Sequence, residues 1–430
     1  METIKRDYYL NQLINKRGNG LVKVITGVRR CGKSFLLFNL YRDYLLSSGV
    51  EEDDIITLSL DENRNIQYRD VDKLSEFIYS KIKDEKMHYL LLDEAQFAIK
   101  EEELKANEPI RLYGLLNELM HKGNIDIYIT GSNSRFLSSD ILTEFRGRSD
   151  NVNVHPLSFS EFMSAYEGNE VTGYQEYSVY GGLPMILQRK SPQEKSNYLK
   201  SLFDTVYIRD IIERHGLRED ALVIDTLTDI LASSIGSLSN PSKLAKTFKS
   251  NQIKADDKTI ASYIKYLEDS FLIHEVKRYD VKGKKYISTP NKYYFEDIGL
   301  RNARLNFRQL EPTHAMENII YNELLIRGFD VDVGQVNQYS RDADKKQVVK
   351  KLEVDFVCNL GDVRYYIQSA FAIPNQDKMR QEQLSLDKIN DNFKKILVVG
   401  DPLTPTHYDE KGYLITNIYD FLLKKDILGL

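Results

Sequence analysis

A stretch near the start of the chain combines glycine, lysine and serine at spacings that suit phosphate chemistry. Residues 27–34 read Gly-Val-Arg-Arg-Cys-Gly-Lys-Ser, which fits the pattern G-x-x-x-x-G-K-[ST]. Apolar runs flank the pattern, so we expect a strand, a tight loop and a helix in that order. The glycines let backbone N–H groups approach a phosphate, and the helix directs its positive dipole end at the anion. A chance match in a glycine-rich loop is the alternative, which the flanking elements disfavour.

The residue types within this loop predict how it would hold a nucleoside triphosphate. Lys33 can reach the β- and γ-phosphates, and the Ser34 hydroxyl can ligate Mg²⁺. ATP and Mg²⁺ are therefore the predicted cofactors. Arg29 and Arg30 can contact either phosphate or an acidic neighbour, and the sequence does not choose between them. The predicted nucleotide-binding residues are Gly27, Val28, Arg29, Arg30, Cys31, Gly32, Lys33, Ser34 and Phe35.

Two carboxylates follow a second apolar run, about 60 residues after the loop. Residues 89–92 lead into Asp93 and Glu94, as at the carboxyl end of a buried parallel strand that meets a ligand. We expect Asp93 to hold Mg²⁺, directly or through water, and Glu94 to polarise the water that attacks the γ-phosphate. Many strands end in a solvated acid, so this interpretation depends on the loop upstream.

A third polar segment follows the β-rich run 125–130. Asn133, or Ser132, is placed to orient the attacking water or to contact the γ-phosphate. An ordinary transition from strand to turn is the alternative. Because the two other motifs favour a functional role, we predict that Asn133 is a catalytic residue.

Length and composition indicate a broad class of protein. The chain has 430 residues, of which 42% are hydrophobic and 29% charged, as in soluble globular proteins of about two to four domains. It shows neither a membrane-length apolar run nor a signal-peptide core, and Cys31 and Cys358 form no metal or disulfide pattern. We therefore expect a cytoplasmic protein with no membrane partner. The net charge of −5 restricts any nucleic-acid site to a local patch.

The pattern of elements divides the chain into four predicted parts. Residues 1–155 alternate strands and helices, as in a doubly wound α/β domain, with strand candidates at 22–26, 55–60, 89–93, 126–130 and 152–155. Residues 156–217 look like a helical lid, and residues 218–300 resemble a winged helix. Residues 301–430 return to an α/β pattern.

The predicted winged helix carries a local excess of positive charge. Residues 240–288 contain 11 Lys or Arg and 6 Asp or Glu, and the hairpin has a basic tip at Lys282, Lys284 and Lys285. This excess suits a helix-turn-helix held to the phosphates of double-stranded DNA. A winged-helix fold used only for protein contacts is the alternative, since base-reading residues cannot be identified from the sequence.

The last part of the chain resembles the core of PD-(D/E)XK nucleases through Glu317, Asp355 and a following hairpin. That chemistry needs acids that hold Mg²⁺ and a lysine near the attacking water. Here Gln368 stands at an acid position and Ala370 at the lysine position. We expect Glu353 to point away from Asp355, and we predict an inactive tail.

Taken together, these motifs resemble the prokaryotic AAA-superfamily ATPases that carry a C-terminal domain of unknown function numbered 4143. The resemblance implies an AAA-like P-loop core with a helical lid, a winged helix and a nuclease-like α/β tail. Gln at position 368 is typical of the group, which favours an inactive tail. The segments that carry the resemblance are TGVRRCGKS (26–34), LLLDEAQ (90–96), YITGSNSRFLSSD (128–140), EFRGRS (144–149), PLSFSEF (156–162), YGGLP (180–184), ENIIYNEL (317–324), EVDFV (353–357) and YYIQSA (365–370).

The resemblance also draws attention to Arg146 and Arg148. AAA-like proteins present an arginine after the third motif to the γ-phosphate of a neighbouring subunit, where it stabilises transition-state charge. Of the two we predict Arg148, within a homo-oligomer, and a surface salt bridge is the alternative for both.

The predicted function is an ATP-hydrolysing switch or motor that acts on DNA or on an unidentified protein partner. A nucleotide-gated signalling protein with slow hydrolysis is one alternative. A nuclease regulated by an ATPase is another, and Gln368 and Ala370 argue against it.

Overall fold

The structure is a computed structural model that describes residues 3–100, 102–103, 110–131, 148–341 and 347–429. The chain forms two compact units. The first comprises residues up to Pro156 together with Asp269–Phe271, and the second comprises Leu157–Glu268 and Leu272–Leu430.

The first unit is built on a five-stranded parallel sheet with the strand order β2-β3-β4-β1-β5. This sheet confirms the α/β class predicted for the first part of the chain. The strands are β1 (Val22–Thr26), β2 (Ile55–Ser59), β3 (His88–Asp93), β4 (Ile125–Gly131) and β5 (Ser149–Asn153). The helices are α1 (Asp7–Asn15), α2 (Lys33–Phe35), which continues through a π-helical segment (Leu36–Tyr41) into α3 (Arg42–Ser47), α4 (Val71–Lys81) and α5 (Arg111–Lys122).

Burial explains why these runs form strands. All residues of β1, β3 and β4 are buried, as expected for parallel strands covered on both faces. Helix α5 packs its leucines at positions 112, 115, 116 and 119 into the same core. Strand β5 begins earlier than the predicted 152–155, because its backbone already pairs with β1 where Ser149 lies opposite Val22.

The second unit begins with helices and then enters a hairpin. Its helices up to the hairpin are α6 (Phe159–Met163), α7 (Glu170–Tyr180), α8 (Pro192–Leu202), a π-helical segment (Phe203–Ile208), α9 (Arg209–His215), α10 (Ala221–Ser233), α11 (Pro241–Ser250) and α12 (Asp257–Asp269). The hairpin consists of β6 (Ile273–Asp280) and β7 (Lys285–Phe295). Asp256 accepts a hydrogen bond from the Thr259 N–H at 2.7 Å and so caps α12.

The rest of the second unit extends this hairpin into an eight-stranded mixed sheet with the order β12-β13-β11-β10-β9-β8-β6-β7. Its further strands are β8 (Asp330–Arg341), β9 (Gln347–Leu360), β10 (Val363–Ala370), β11 (Lys394–Val399), β12 (His407–Tyr408) and β13 (Leu414–Asn417). The helices are α13 (Ile298–Arg304), α14 (Pro312–Ile326), α15 (Gln376–Gln383) and α16 (Ile418–Leu423).

The sheet continues across residue 300, where the sequence predicts a domain boundary. Strand β6 pairs in parallel with β8, with Arg278 opposite Val333 and Asp280 opposite Gln335. This pairing satisfies the backbone groups of what would otherwise be an exposed strand edge. The predicted division into lid, winged helix and tail stays a prediction within one compact unit. Within the ranges described above, no helix combines the length and the apolar character needed to cross a membrane.

Candidate functional site

The carboxyl edge of the first sheet brings several polar side chains together. Ser59 ends β2, Asp93 ends β3, Thr26 ends β1, and Thr130 is the last residue but one of β4. Because neighbouring parallel strands end at the same edge, these residues face one region. The loop 27–32 leaves β1 at this edge, so the edge is where a ligand of the loop would lie.

Glycine shapes this loop. Gly27 has φ of +139°, and a Cβ atom at this position would lie 1.9 Å from the Val154 carbonyl oxygen. Gly32 is also left-handed, with φ of +105°, immediately before Lys33 begins α2. A side chain at Gly27 would force the loop away from the strand, so the first glycine of the motif is a steric requirement.

Lys33 folds back over the loop. Its ammonium group donates hydrogen bonds to the carbonyl oxygens of Gly27 at 2.9 Å and Val28 at 3.0 Å, and the residue is 4% exposed. Both acceptors are neutral. The lysine is therefore held in position by groups that do not cancel its charge, and it can exchange them for phosphate oxygens.

Hydroxyl groups from three elements converge on Asp93. Ser34 Oγ donates to Asp93 Oδ1 at 3.0 Å, Ser59 Oγ donates to Oδ2 at 3.2 Å, and Thr130 Oγ1 also donates to Oδ1. Burial raises the pKa of Asp93, and these hydrogen bonds oppose the rise. Ser34 and Asp93, the predicted Mg²⁺ ligands, thus touch each other beside the loop. Their all-oxygen donor set fits Mg²⁺.

Glu94 occupies a strained position at the end of β3. Its φ of +51° is left-handed, which is rare for a residue with a side chain. The Glu94 N–H donates to Thr130 Oγ1 at 2.9 Å, and its carboxylate accepts a hydrogen bond from Gln96 Nε2. Thr130 thus fixes both the predicted metal ligand and the predicted base.

The remaining loop residues differ in their surroundings. Val28 and Cys31 are buried, and Cys31 Sγ lies 3.1 Å from the Val154 carbonyl oxygen. Arg29 is half-buried, whereas Arg30 and Phe35 are exposed. Cys31 therefore acts in packing of the loop, and the two exposed residues are those open to a ligand or partner.

The structure describes only one of the other predicted catalytic residues. Asn133, with Ser132 and Arg146, is outside the described residues. Arg148 accepts a hydrogen bond at its carbonyl oxygen from the Val22 N–H at 3.1 Å, and its guanidinium lies 3.4 Å from His121 Nε2. Val22 begins β1, so Arg148 lies at the amino edge of the sheet, opposite the loop. The structure does not bring Arg148 to the site of its own chain.

Sequence reasoning missed three supporting residues. Ser59 is the last residue of β2 and Thr130 the last but one of β4, and a search for small hydroxyl residues at the carboxyl ends of the predicted strands would have found them. Arg6 carries no such signal. Its buried guanidinium donates to the carbonyl oxygens of Cys31 at 2.9 Å and His155 at 2.7 Å, so residues before α1 anchor the loop.

A second polar cluster lies in the second unit. The ammonium group of Lys292, on β7, is 2.7 Å from Glu317 Oε1 and 2.6 Å from Glu353 Oε1. The prediction that Glu353 points away from Asp355 is wrong, because residues two apart on a strand share a face. Burial alone would lower the pKa of Lys292, but the carboxylates of Glu317, Asp355 and Glu353 raise it above its usual value.

The predicted nuclease-like positions lie beside this cluster. Asp355 Oδ2 accepts a hydrogen bond from the Ser369 N–H at 2.8 Å, and Gln368 Oε1 accepts one from the Asp355 N–H at 3.4 Å. Burial, followed by the nearby Glu317 carboxylate, raises the pKa of Asp355 well above its usual value. The acids therefore surround a lysine ammonium, and Ala370 is buried without an amine of its own.

Comparisons with known proteins cover most of the chain. Residues 19–163 match the family model of an AAA domain, and residues 171–311 match a domain of unknown function numbered 8612. An uncharacterized protein of Haemophilus influenzae is 34% identical over 427 residues, which cover 98% of this chain and 99% of that protein. An uncharacterized protein of Methanocaldococcus jannaschii is 27% identical over 434 residues, which cover 96% and 89%. A solved structure of a Walker-type ATPase of Pyrococcus abyssi is 14% identical, covers 70% of this chain and 96% of that chain, and has a TM-score of 0.48.

Proposed function

We propose that this chain, which belongs to the AAA superfamily of P-loop ATPases and to the same family as the Haemophilus influenzae protein, hydrolyses ATP to drive a change in a partner. The observation that carries the proposal is the junction of Lys33, Ser34 and Asp93 at one sheet edge. There the Ser34 hydroxyl lies 3.0 Å from the Asp93 carboxylate. A cation for phosphate and a ligand pair for Mg²⁺ thus stand side by side.

Each residue of the site has a separate role in the proposed reaction. Lys33 exchanges its two carbonyl partners for β- and γ-phosphate oxygens, and the loop N–H groups bind the same phosphates. Ser34 and Asp93 would hold Mg²⁺, which when bound neutralises charge on the phosphate oxygens. Glu94 accepts the proton of the attacking water. We assign Asn133 to the position that senses the γ-phosphate.

We place Arg148 on a neighbouring copy of the chain. An arginine that reaches the γ-phosphate from another subunit supplies transition-state charge. Arg148 is exposed at the amino edge of the sheet, so it can serve only the nucleotide of another copy. A homo-oligomer is therefore part of this proposal.

Release of phosphate from Mg²⁺-ATP by the full chain tests the proposal. We expect turnover that requires Mg²⁺ and stops with EDTA, and mass determination with and without ATP tests for the oligomer. Tight ATP binding without turnover would favour the alternative of a nucleotide-gated binding protein. Absence of both would overturn the proposal.

Two basic elements of the second unit favour double-stranded DNA as the partner. Helix α12 exposes Lys258 and Lys265 two turns apart on one face, and the hairpin exposes Lys282, Lys284 and Lys285 at its tip. A backbone bridge joins Ser239, between α10 and α11, to Asn291 in β7, which ties the helices to the hairpin. Two basic elements on one fold suit phosphates on either side of a groove.

The second unit is proposed to act as a binding module without nuclease chemistry. Lys292 forms ion pairs with both Glu317 and Glu353, and neutral Gln368 stands beside Asp355. The ammonium group of Lys292 lies between these acids and reduces the charge that they offer to a divalent ion, which phosphodiester cleavage of this type requires.

A further inference from the structure

A histidine and two aspartates meet at the amino edge of the first sheet, the edge opposite the nucleotide residues. His88 is the first residue of β3, Asp54 immediately precedes β2, and Asp84 lies in the connection between α4 and β3. One ligand atom from each of the three side chains lies within 4.8 Å of the others.

The imidazole of His88 is buried without a hydrogen-bond partner among the residues that the structure describes. His88 is 1% exposed, and both Nδ1 and Nε2 are buried and unsatisfied. Asp54 Oδ1 lies 3.7 Å from Nδ1, beyond hydrogen-bond distance, and Asp84 Oδ1 lies 3.3 Å from Nε2 without forming a hydrogen bond. Buried polar nitrogens in native proteins have a protein or water partner, so this ring has capacity for a bound ion or an ordered water.

The separation between Nε2 and Asp84 Oδ1 fits a shared metal ion, and a carboxylate oxygen of Asp54 belongs to the same group of ligand atoms within 4.8 Å of one another. Two ligands bound at about 2.0–2.1 Å to one tetrahedral Zn²⁺ ion are about 3.3 Å apart, as Nε2 and Asp84 Oδ1 are. We propose that His88, Asp54 and Asp84 bind a divalent transition-metal ion of the Zn²⁺ class. One imidazole nitrogen with two carboxylate oxygens favours Zn²⁺ over Mg²⁺ or Ca²⁺, which select all-oxygen sites.

The surroundings support these donors. The Lys86 N–H donates to Asp84 Oδ1 at 2.9 Å, which orients the carboxylate in the manner of an outer-shell partner. The nearby lysines have other acidic neighbours, because Lys86 Nζ lies 3.3 Å from Glu51 and Lys83 Nζ lies 4.0 Å from Asp53. The side chain of Asp84 is 48% exposed, so solvent can supply a fourth ligand and the ion has a path of entry.

The position of this site indicates a structural ion. It joins the starts of β2 and β3 to the connection before β3. The six residues of β3 separate His88 from Asp93 by about 16 Å. The ion would stabilise the sheet on which the nucleotide residues stand, and its binding should not require Lys33.

Metal binding by the full chain tests the proposal. After treatment with EDTA and dialysis, the protein is titrated with Zn²⁺ by calorimetry, and with Co²⁺ by visible absorption, in the presence of excess Mg²⁺. We expect one Zn²⁺ per chain, a visible Co²⁺ spectrum and a midpoint of thermal unfolding that rises by a few degrees, about 2–6 °C.

Matched variants locate the ion. His88→Gln and Asp54→Asn should weaken Zn²⁺ binding at least about 10-fold, whereas Asp53→Asn and His121→Gln should bind as the wild type does. Asp84→Asn changes an exposed side chain and provides the same test if His88→Gln fails to fold. Lys33→Ala should keep the Zn²⁺ site. Failure of the wild type to bind Zn²⁺, or equal binding by the His88, Asp54 and Asp84 variants, would overturn the proposal.

Discussion

Each of the two units holds a buried lysine at its polar cluster, Lys33 in the first and Lys292 in the second, and the two differ in what surrounds the ammonium group. Lys33 donates to the neutral carbonyl oxygens of Gly27 and Val28. Lys292 lies between the carboxylates of Glu317 and Glu353. An ammonium held by carbonyl groups keeps its charge for an incoming anion, whereas one between two carboxylates has already formed its ion pairs. We therefore propose that the first arrangement binds phosphate and that the second stabilises the fold.

The carboxylates show the same difference. Asp93 accepts hydrogen bonds from Ser34, Ser59 and Thr130, and a cation can displace the first of these hydroxyl groups without leaving a buried charge. Asp355 is bound by a backbone N–H of Ser369, which no ligand would displace, and burial raises its pKa well above the usual value. Asp93 can therefore exchange a hydroxyl partner for a cation, whereas Asp355 keeps its backbone partner.

Removal of Lys292 should give the largest loss of stability. Lys292→Met leaves three acids without their cation, which costs about 3 kcal/mol, near the lower end of the range for a broken buried pair because Glu353 is partly exposed. Chemical denaturation measures this loss, and Lys285→Met on the same exposed hairpin is the control. A loss below about 1 kcal/mol would contradict a structural role for Lys292.

Substitution of Glu94 should slow ATP turnover and leave ATP binding unchanged. Glu94→Gln keeps the size of the side chain but cannot accept the proton, so hydrolysis should slow by about 100-fold or more. Phosphate release and ATP calorimetry on the same protein separate the two effects, with Glu76→Gln on the exposed face of α4 as control. Turnover at the wild-type rate would exclude Glu94 as the base.

Substitutions in the basic hairpin should have a smaller effect on binding, about equal for all DNA sequences. Changing Lys282, Lys284 and Lys285 to Ala should weaken duplex binding and reduce the salt slope by up to about one unit for each lost phosphate contact. Fluorescence anisotropy at several salt concentrations measures both, and Lys73→Ala on α4 is a control for charge. An unaltered affinity and slope would assign this surface to protein contacts.

The second cluster should show no nuclease activity. The acids that would hold Mg²⁺ are paired with Lys292, and Gln368→Glu restores an acid without restoring the lysine missing at Ala370. We therefore expect no Mg²⁺-dependent cleavage of plasmid DNA by the wild type or by Gln368→Glu. Cleavage by the wild type that is lost in Asp355→Ala would show that the second cluster is catalytic and would contradict this account.

The contrast between the two lysines also explains which features could be predicted from the sequence. The loop, Asp93 and the buried strands were predictable, because a local motif and continuous apolar runs define them. Lys292 was not, since it meets Glu317 and Glu353 from 25 and 61 residues away and its own surroundings in sequence are unremarkable. Arg6 reaches Cys31 across 25 residues in the same way. Long-range ion pairs leave no periodic signal.

Local errors have equally physical causes. The sequence around residues 378–392 predicts a helix, but α15 ends at Gln383, and the chain then turns so that Leu386 and Ile389 enter the core. Hydrophobic residues at helical spacing can serve a turn that packs inward as well as a helix. The sequence predicts that Arg148 serves a neighbouring copy, which stays a prediction, and the sheet register adds that Arg148 lies at the edge away from the loop of its own chain.

Calorimetric titration of Mg²⁺-ATP into Lys33→Ala tests the central contrast most directly. If the Lys33 ammonium serves to bind phosphate, this variant should fold with wild-type stability. It should bind ATP about 100-fold more weakly, because charge-assisted hydrogen bonds to two phosphates are lost. Lys73→Ala should bind ATP as the wild type does. Wild-type ATP affinity in folded Lys33→Ala would contradict the assignment of this sheet edge as the nucleotide site.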